Sequence, residues 1–282
     1  MALVEPSFSV GSIRCWFVPD GDCRYEPEWL FAGVDRDLWG PLVADRLDPG
    51  GEILLPYRPV LMQSESRLVL VDAGAGPELA AEWGQAIGRT RASLEHVGAA
   101  PTDIDFVLVT HAHPDHVGGL TEAVGDARIP VYAKARHILA RDEWDYWRSE
   151  GSEDEDDKRV ARSRLTPLVD AGIVDLVEGE GEVAPGITVF PTPGHTPGHL
   201  SVALNSGGRT GILAGDAVIT EWSFEHPEWS AIFDVDAARG VTTRKALLAR
   251  AVHENALFTG YHLPGAGRVR SGDRAFVFES ET

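Results

Sequence analysis

The feature that most constrains this chain is a group of three histidines and one aspartate in the sequence HAHPDH at residues 111–116. The apolar, β-branched run at 106–109 predicts a buried strand before it, and the residues that follow, at 117–120, predict a turn into a short helix. Imidazole and carboxylate are ligands that zinc and similar divalent ions prefer. Three imidazoles so close together repel one another when protonated and gain nothing from packing. The pattern therefore predicts a metal site at a strand-to-helix turn.

Length and hydrophobic content limit the size and class of the fold. The chain has 282 residues and is 43% hydrophobic, enough for one large domain or two small ones. We find no linker and no internal repeat, so we expect one domain over 1–282. No apolar run approaches the roughly 20 residues that span a bilayer, and the first residues lack the pattern of a secretory signal. We expect a cytoplasmic protein without a membrane partner. Cys15 and Cys23 are too few for a disulfide framework.

The charge of the chain is strongly acidic. The formal net charge is -19, from 44 acidic and 25 basic residues. Such a surface repels a phosphate backbone, and no cluster of lysine and arginine offers a local exception, so we expect no nucleic-acid partner. The acidic run at 149–157 lacks the ligand spacing of a calcium loop, which favours a solvated surface loop.

Hydrophobic periodicity predicts strands in both halves of the chain, with helices in each. Helices are predicted at 78–97, 134–148, 159–171 and 237–253. Strands are predicted at 9–18, 57–63, 67–71, 106–109, 129–133, 173–177, 187–190, 199–204, 211–214, 256–259 and 275–279. Residues 22–51 show no clear period and are predicted to be a long loop or a capping segment. Together these elements predict an α/β fold, an αββα sandwich.

Six residues at one turn cannot surround two ions, so further ligands must come from elsewhere in the chain. Three candidates, His195, Asp216 and His262, each lie just beyond a short apolar strand and beside a glycine. Asp72 also follows a strand directly and precedes glycines. The carboxyl ends of strands gather at one edge of a sheet, which is where sites collect in α/β folds.

The order and context of these residues resemble those of the metallo-β-lactamase-fold hydrolases. The resemblance runs from about Tyr57 to His262, and it implies two divalent metal ions per chain, with zinc expected and iron, manganese or cobalt as alternatives. The implied ligands are His111, His113 and His195 for the first ion, Asp115, His116 and His262 for the second, and Asp216 as the bridge. Asp72 would support the site without binding metal, and His199 lies in the loop of His195, where it could orient a ligand.

Within that superfamily, residues 110–120, 233–236 and 260–269 are most similar to the branch that contains N-acyl-homoserine lactonases and methyl parathion hydrolase. The similarity implies a metal-dependent hydrolase that uses a metal-bridging hydroxide on an ester-type bond, with a lactone as the expected substrate. Several lactonases carry a tyrosine three residues after the bridging aspartate, and this chain has Ile219 there. The general acid therefore stays open, with Asp115 as the candidate shuttle and Tyr261 as an alternative.

Other functions stay open. A phosphotriesterase or aryl esterase of the methyl parathion hydrolase type would use the same ligands. A glyoxalase-II-like thioesterase would need a helical, basic C-terminal region, whereas this chain ends in a strand-like run. A flavodiiron-type oxidoreductase would have glutamate in place of His113 and an added flavin domain. A non-catalytic metal-binding module is the alternative outside the enzymes.

Aromatic residues between Asp216 and Asp234 could line an apolar substrate pocket, or could equally belong to the core. They are Trp222, Phe224, Trp229 and Phe233. If they line a pocket, we expect a small-molecule substrate that is uncharged and partly apolar, and the net charge favours the same kind of substrate. The sequence leaves open the physiological substrate, the metal in the cell and the oligomeric state, including a homodimer.

Overall fold

The structure is a computed structural model that describes residues 3–149 and 155–281. Most of the acidic run at 149–157 lies outside the described residues. Its last three residues begin a helix, Glu155–Asp170, so the predicted loop does not extend that far. Among the described residues, no helix is both long enough and apolar enough to cross a membrane.

Strands dominate the described chain. In chain order they are β1 (Phe8–Val10), β2 (Ile13–Phe17), β3 (Gly21–Tyr25), β4 (Ile53–Tyr57), β5 (Val60–Ser64), β6 (Arg67–Val71), β7 (Phe106–Leu108), β8 (Thr121–Val124), β9 (Ala127–Pro130), β10 (Arg136–Ala140), β11 (Val174–Val177), β12 (Gly181–Ala184), β13 (Ile187–Pro191), β14 (Leu200–Ser206), β15 (Arg209–Leu213), β16 (Leu257–Thr259), β17 (Gly267–Ser271) and β18 (Phe276–Ser280). The helices are α1 (Pro27–Leu30), α2 (Arg36–Val43), α3 (Gly76–Trp83), α4 (Thr90–Val97), α5 (Pro114–Val117), α6 (Arg141–Arg148), α7 (Glu155–Asp170), α8 (Trp222–Glu225) and α9 (Ala237–His253).

Two sheets of seven strands form the centre of the molecule. The first sheet has the order β1-β2-β5-β6-β7-β10-β11, and the second has the order β12-β13-β14-β15-β16-β17-β18. Strands β6, β7, β10 and β11 run parallel, as do β15 and β16, and the other neighbours in the two sheets are antiparallel. A buried apolar layer from both sheets, including Met62, Val69, Val189 and Val202, fills the space between them.

Helices cover the outer face of each sheet. On the first sheet, Leu94 of α4, Trp147 of α6 and Leu165 of α7 belong to one buried cluster with strand residues such as Leu70. On the second sheet, Leu247 and Leu248 of α9 pack with Phe258 and Ile212. The layers therefore run helix, sheet, sheet, helix, and the predicted αββα sandwich is confirmed.

The segment at 22–51 contains more structure than its sequence predicts. It holds most of β3, which pairs with β4, and the helices α1 and α2. Its buried side chains, such as Phe31 and Trp39, cluster with Ile219 and Ala231 from the other half of the chain. Both helices are too short to show a clear period, which is why the sequence predicted only a loop or a capping segment there.

Two of the predicted helices are wrong in part. Residues 78–97 form α3 and α4, separated after Gly84, which ends α3 with a φ of 63°. Residues 134–148 contain strand β10 before α6. The strand was predicted as helix because its buried apolar run is too short for periodicity to distinguish the two. By contrast, the helix predicted at 237–253 has the bounds of α9.

His137 on β10 should make the stability of the fold depend on pH. The side chain is 1% exposed, and burial lowers its pKa from the ordinary 6.5 to about 4. The unfolded chain therefore takes up a proton first as the pH falls through this window, so stability present above pH 6.5 is lost toward pH 4. A difference of one pKa unit between the folded and unfolded states is worth about 1.4 kcal/mol, so the free energy of unfolding should fall by about 3 kcal/mol.

Denaturant unfolding of metal-free wild-type protein and His137→Leu across this range measures the effect. Because every other titrating group is common to both proteins, the difference between their unfolding free energies isolates His137. That difference should change by about 3 kcal/mol. A constant difference would show that His137 does not titrate as expected.

Candidate metal centre

The candidate site lies where five strands end. Asp72 follows β6, Thr110 and His111 follow the end of β7, and the loop with His195 follows β13. Asp216 and His262 follow the parallel strands β15 and β16. The two sheets therefore present these ends at one edge of the sandwich, and the structure brings together all seven predicted ligand residues there.

The first group of side chains is His111, His113 and His195. Nε2 of His111 lies 3.0 Å from Nδ1 of His113, which lies 2.9 Å from Nε2 of His195. Burial and the neighbouring imidazoles lower the pKa of His111 and of His113 well below the ordinary value, so both rings are neutral. Neutral imidazole is the form that binds a metal ion.

The second group is Asp115, His116 and His262, whose side-chain atoms also converge. Oδ2 of Asp115 lies 3.5 Å from Nε2 of His116 and 3.5 Å from Nε2 of His262. Asp216 lies between the two groups. Its Oδ2 is 3.6 Å from Nε2 of His195 in the first group and 3.1 Å from Nε2 of His262 in the second.

Two buried atoms show that these residues fit metal ions. Nε2 of His116 and Oδ1 of Asp216 lie 3.5 Å apart, and neither makes a hydrogen bond among the described residues. An unpaired buried polar atom costs roughly 1–3 kcal/mol, so native structures usually satisfy such atoms. Both atoms face ligand-type groups, and a divalent ion would satisfy them. The arrangement can hold two divalent ions, one at each group.

Asp72 fixes the orientation of His116. Its Oδ2 lies 2.8 Å from Nδ1 of His116, which leaves Nε2 to face the second group. Asp72 also accepts two hydrogen bonds of 2.8 Å from Thr110, one from the backbone N–H at Oδ1 and one from the hydroxyl at Oδ2. Asp72 has a φ of 60°, which is uncommon for a residue other than glycine. The contact of Asp72 with Nδ1 of His116 is the geometry that a supporting, non-ligand role requires.

His199 contacts the backbone of Asp216. The backbone N–H of Asp216 donates to Nε2 of His199 at 3.0 Å, and Nδ1 lies 2.8 Å from the hydroxyl of Thr192. Burial lowers the pKa of His199 to about 3, so the ring stays a neutral acceptor. His199 therefore holds the turn that carries Asp216, and it lies outside both groups of converging side chains.

Sequence reasoning missed the carboxylate behind His195. Oδ1 of Asp234 lies 2.8 Å from Nδ1 of His195, and Oδ2 lies 3.4 Å from the guanidinium of the buried Arg244. Burial alone would raise the pKa of Asp234, but the hydrogen bond from His195 and the charge of Arg244 lower it. Asp234 lies in one of the three stretches that carried the resemblance, but its contact with His195 could not be read from the sequence.

Glycines allow the HAHPDH turn to approach the loop after β6. A Cβ at Gly118 would lie 1.9 Å from the carbonyl oxygen of Ala75, and one at Gly119 would lie 2.2 Å from that of Ala73. Any side chain at either position would push the two loops apart. Since the same loop carries Asp72, these glycines preserve its contact with His116.

A cavity of about 440 Å³ opens over the candidate site. Its floor includes His113, Asp115, His195, Asp216 and His262. Its walls include Ile219 and Phe233 together with residues from the first third of the chain, among them Tyr25, Trp29, Tyr57 and Trp83.

Only one of the four aromatic residues proposed for a substrate pocket lines this cavity. Phe233 does so, whereas Phe224 packs in the core against Phe258 and Phe278. Trp222 and Trp229 instead contact the ring of Phe31 and help hold the 22–51 segment. The prediction for these three residues is therefore corrected, because sequence composition cannot separate cavity wall from core.

Comparisons with known proteins agree with this geometry. The sequence profile of the metallo-beta-lactamase superfamily matches residues 58–251. The N-acyl homoserine lactonase of Bacillus cereus is 28% identical over 243 residues, which cover 80% of this chain and 84% of that protein.

Solved structures show the same fold. A hydrolase of the beta lactamase superfamily named AbOPH has a TM-score of 0.87 at 22% identity, covering 100% of this chain and 98% of that one. The dizinc quorum-quenching lactonase AidC, in complex with a product, has a TM-score of 0.86 at 21% identity, covering 98% and 96%. The superfamily match spans more than half of the chain, and the sandwich and its strand-end residues agree with it. The chain therefore belongs to the metallo-beta-lactamase superfamily, and it is a metal-dependent hydrolase.

Proposed function

We propose that the protein is a dinuclear metal-dependent hydrolase that opens the ester bond of a lactone, with N-acyl-homoserine lactones as the substrate class. The observation that carries the proposal is the convergence of seven histidine and aspartate side chains, five of which form the floor of a partly aromatic cavity. The lactonase of Bacillus cereus, which aligns with 80% of this chain, supports the choice of a lactone.

In this proposal the first group of side chains would hold one ion, the second group would hold the other, and Asp216, which faces both groups, would serve as the shared ligand. Zinc is the expected ion because the donors are imidazole and carboxylate. When bound, two such ions activate a water molecule and stabilise negative charge on the oxygen of an attacked carbonyl.

The residues of the chain supply orientation and proton transfer. Asp234 and Asp72 fix the rings of His195 and His116, each through a contact of 2.8 Å. Asp115 lines the cavity, so its carboxylate can take the proton of the attacking water and pass it on. Tyr261 does not fit as the general acid, because its hydroxyl donates to the backbone oxygen of Asp115 and the residue is 4% exposed.

The walls of the cavity favour a substrate with an uncharged, apolar part. Trp29 and Trp83 are exposed at the cavity, and Ile219 and Phe233 also line it. Arg24, Glu52 and Gln85 also line the cavity, so its wall is part apolar and part polar. The aromatic part suits an acyl chain or an aryl ring. The net charge of -19 would disfavour the approach of an anionic substrate.

An aryl esterase or phosphotriesterase is the second candidate, and Ile219 is the observation that favours it. Ile219 lines the cavity and has no proton to donate, so it cannot assist the departure of an alkoxide. A phenolate is a better leaving group than the alkoxide of a lactone, so an aryl substrate needs less protonation of its leaving oxygen.

A substrate panel tests the proposal. Zinc-loaded protein would be assayed with acyl-homoserine lactones of several chain lengths, aryl esters, phosphotriesters, thioesters and a β-lactam. We expect the highest kcat/KM for an acyl-homoserine lactone. A phosphotriester or thioester that is turned over more efficiently than every lactone would replace this proposal with the corresponding alternative.

The dependence on the leaving group is a separate expectation. If no side chain protonates the leaving oxygen well, kcat/KM should rise steeply as leaving-group pKa falls across a series of aryl esters or phosphotriesters. The measurement is a plot of log kcat/KM against leaving-group pKa, with viscosity dependence used to show that chemistry limits the rate.

A flat plot under those conditions would mean that another acid acts. Tyr25 would then be the residue to test, because it lines the cavity and its hydroxyl lies 2.5 Å from that of Tyr57. Tyr25→Phe should steepen the plot if Tyr25 is that acid.

A further inference from the structure

A buried glutamate joins the two histidine loops of the site. Glu143 lies on α6 and is 0% exposed, although it is charged in its ordinary form. Its Oε1 accepts hydrogen bonds from the backbone N–H of Ala112 at 2.8 Å and from the indole of Trp147 at 2.5 Å. Its Oε2 accepts from the hydroxyl of Thr196 at 2.7 Å and from the backbone N–H of Gly198 at 3.0 Å.

The donors come from two separate parts of the chain. Ala112 lies between His111 and His113 on the loop that follows β7 of the first sheet. Thr196 directly follows His195 on the loop that follows β13 of the second sheet. One carboxylate therefore links two loops, one from each sheet, and these loops carry the first group of histidines.

The local sequence is shaped around this contact. A Cβ at Gly198 would lie 2.1 Å from the backbone nitrogen of Glu143, so only glycine lets the loop approach α6 this closely. The four donors also occupy both oxygens of the side chain, and an ionised carboxylate has only acceptor positions. A carboxamide of the same shape would place an N–H₂ group against at least one of these donors.

We propose that Glu143 is a positioning residue that sets the separation of His111 and His113 from His195, and through it the affinity of the first group for its metal ion. The inference rests on the metal centre of the proposed function. It concerns ion binding in the absence of substrate, so it is independent of which ester the enzyme hydrolyses.

Zinc affinity measured by competition with a chromophoric chelator tests the proposal. Glu143→Gln should raise the dissociation constant for an ion by roughly 10- to 100-fold, the effect usual for residues that orient metal ligands. Thr196→Val removes one of the four hydrogen bonds and should weaken binding less, while Thr196→Ser keeps the hydroxyl and should restore it. The absorption spectrum of the cobalt-loaded protein should change with the first two variants and return with the third.

Asp20→Asn is the matched control. Asp20 is likewise 0% exposed and accepts four hydrogen bonds, from Ala75, Gly88 and both the backbone and hydroxyl of Thr90. None of these donors adjoins a histidine of the first group. Because Ala75 lies on the loop that carries Asp72, this control acts on the side of the second group. It should lower the melting temperature while the affinity of the first group for its ion stays as in the wild type.

Several outcomes would overturn the proposal. Wild-type zinc affinity in Glu143→Gln would show that the contact does not position the ligands, and it would leave the proposed function intact. Equal weakening by Asp20→Asn would attribute the effect to general stability. If Glu143→Gln does not fold, the Thr196 pair decides, and identical affinities for Val and Ser would contradict the proposal. A wild-type protein that binds no zinc would contradict both this inference and the proposed metal centre.

Discussion

Asp216→Asn should lower kcat by on the order of 100-fold or more, because loss of residues that only orient a metal ligand already costs roughly 10- to 100-fold. Asp216 faces His195 of the first group and His262 of the second, and its Oδ1 lies 3.5 Å from Nε2 of His116. No other described carboxylate has an oxygen within 4 Å of ring nitrogens from both groups. An amide keeps the shape of the side chain but replaces one acceptor oxygen with a donor that cannot bind a cation.

The fold should survive this change, since the site lies on loops at the edge of the sandwich and not between the sheets. Steady-state kinetics, zinc content and melting temperature measured together separate catalysis from stability. Asp236→Asn is the control, because Asp236 caps α9 through the backbone N–H of Arg239 and asparagine caps a helix equally well. If Asp216→Asn keeps wild-type kcat with two ions bound, Asp216 is not the bridge.

The residues that converge at the site could be predicted from the sequence because their signals are local. His195, Asp216 and His262 each follow a short apolar strand and a nearby glycine, and strand ends meet at a sheet edge. Helix α9 was predicted with its observed bounds because its apolar positions repeat over several turns.

The supporting residues could not be predicted because their roles depend on contacts between distant parts of the chain. Asp234 is 39 residues from His195, and Glu143 is 53 residues from Thr196. A buried carboxylate has no periodic signal of its own, and in a sequence it reads as a solvated charge. Arg244, 2% exposed in the middle of α9, is a further example.

The cavity walls were unpredictable for a related reason. Tyr25 and Trp29 reach the cavity only because β3 pairs with β4 and carries the following segment toward Phe233. That pairing joins residues about thirty positions apart across two helices too short for periodicity analysis. The sequence therefore placed the pocket among aromatic residues near Asp216, of which Phe233 alone lines it.

Removal of metal should abolish turnover and also destabilise the fold. Ions that bind only the folded protein stabilise it by RT ln(1 + [L]/Kd), which is about 4 kcal/mol when the free ion exceeds Kd a thousandfold. Stripping the protein with a chelator should therefore lower the free energy of unfolding by several kcal/mol, as measured by denaturant titration after the chelator is removed. Turnover of the best substrate in the panel should fall to background in the same sample.

The way in which activity returns tests how many ions act. Two groups of side chains converge, and Asp216 contacts both, so we expect full activity and full stability after two equivalents of zinc per chain and incomplete recovery after one. Full recovery after one equivalent would limit the working centre to a single ion, and turnover by fully stripped protein would rule out a metal-dependent reaction. His116 Nε2 and Asp216 Oδ1 are buried and make no hydrogen bond within residues 3–149 and 155–281, so in the stripped protein each atom costs roughly 1–3 kcal/mol of stability, whichever substrate the enzyme hydrolyses. The loss of stability is therefore expected even if the lactone proves to be the wrong substrate.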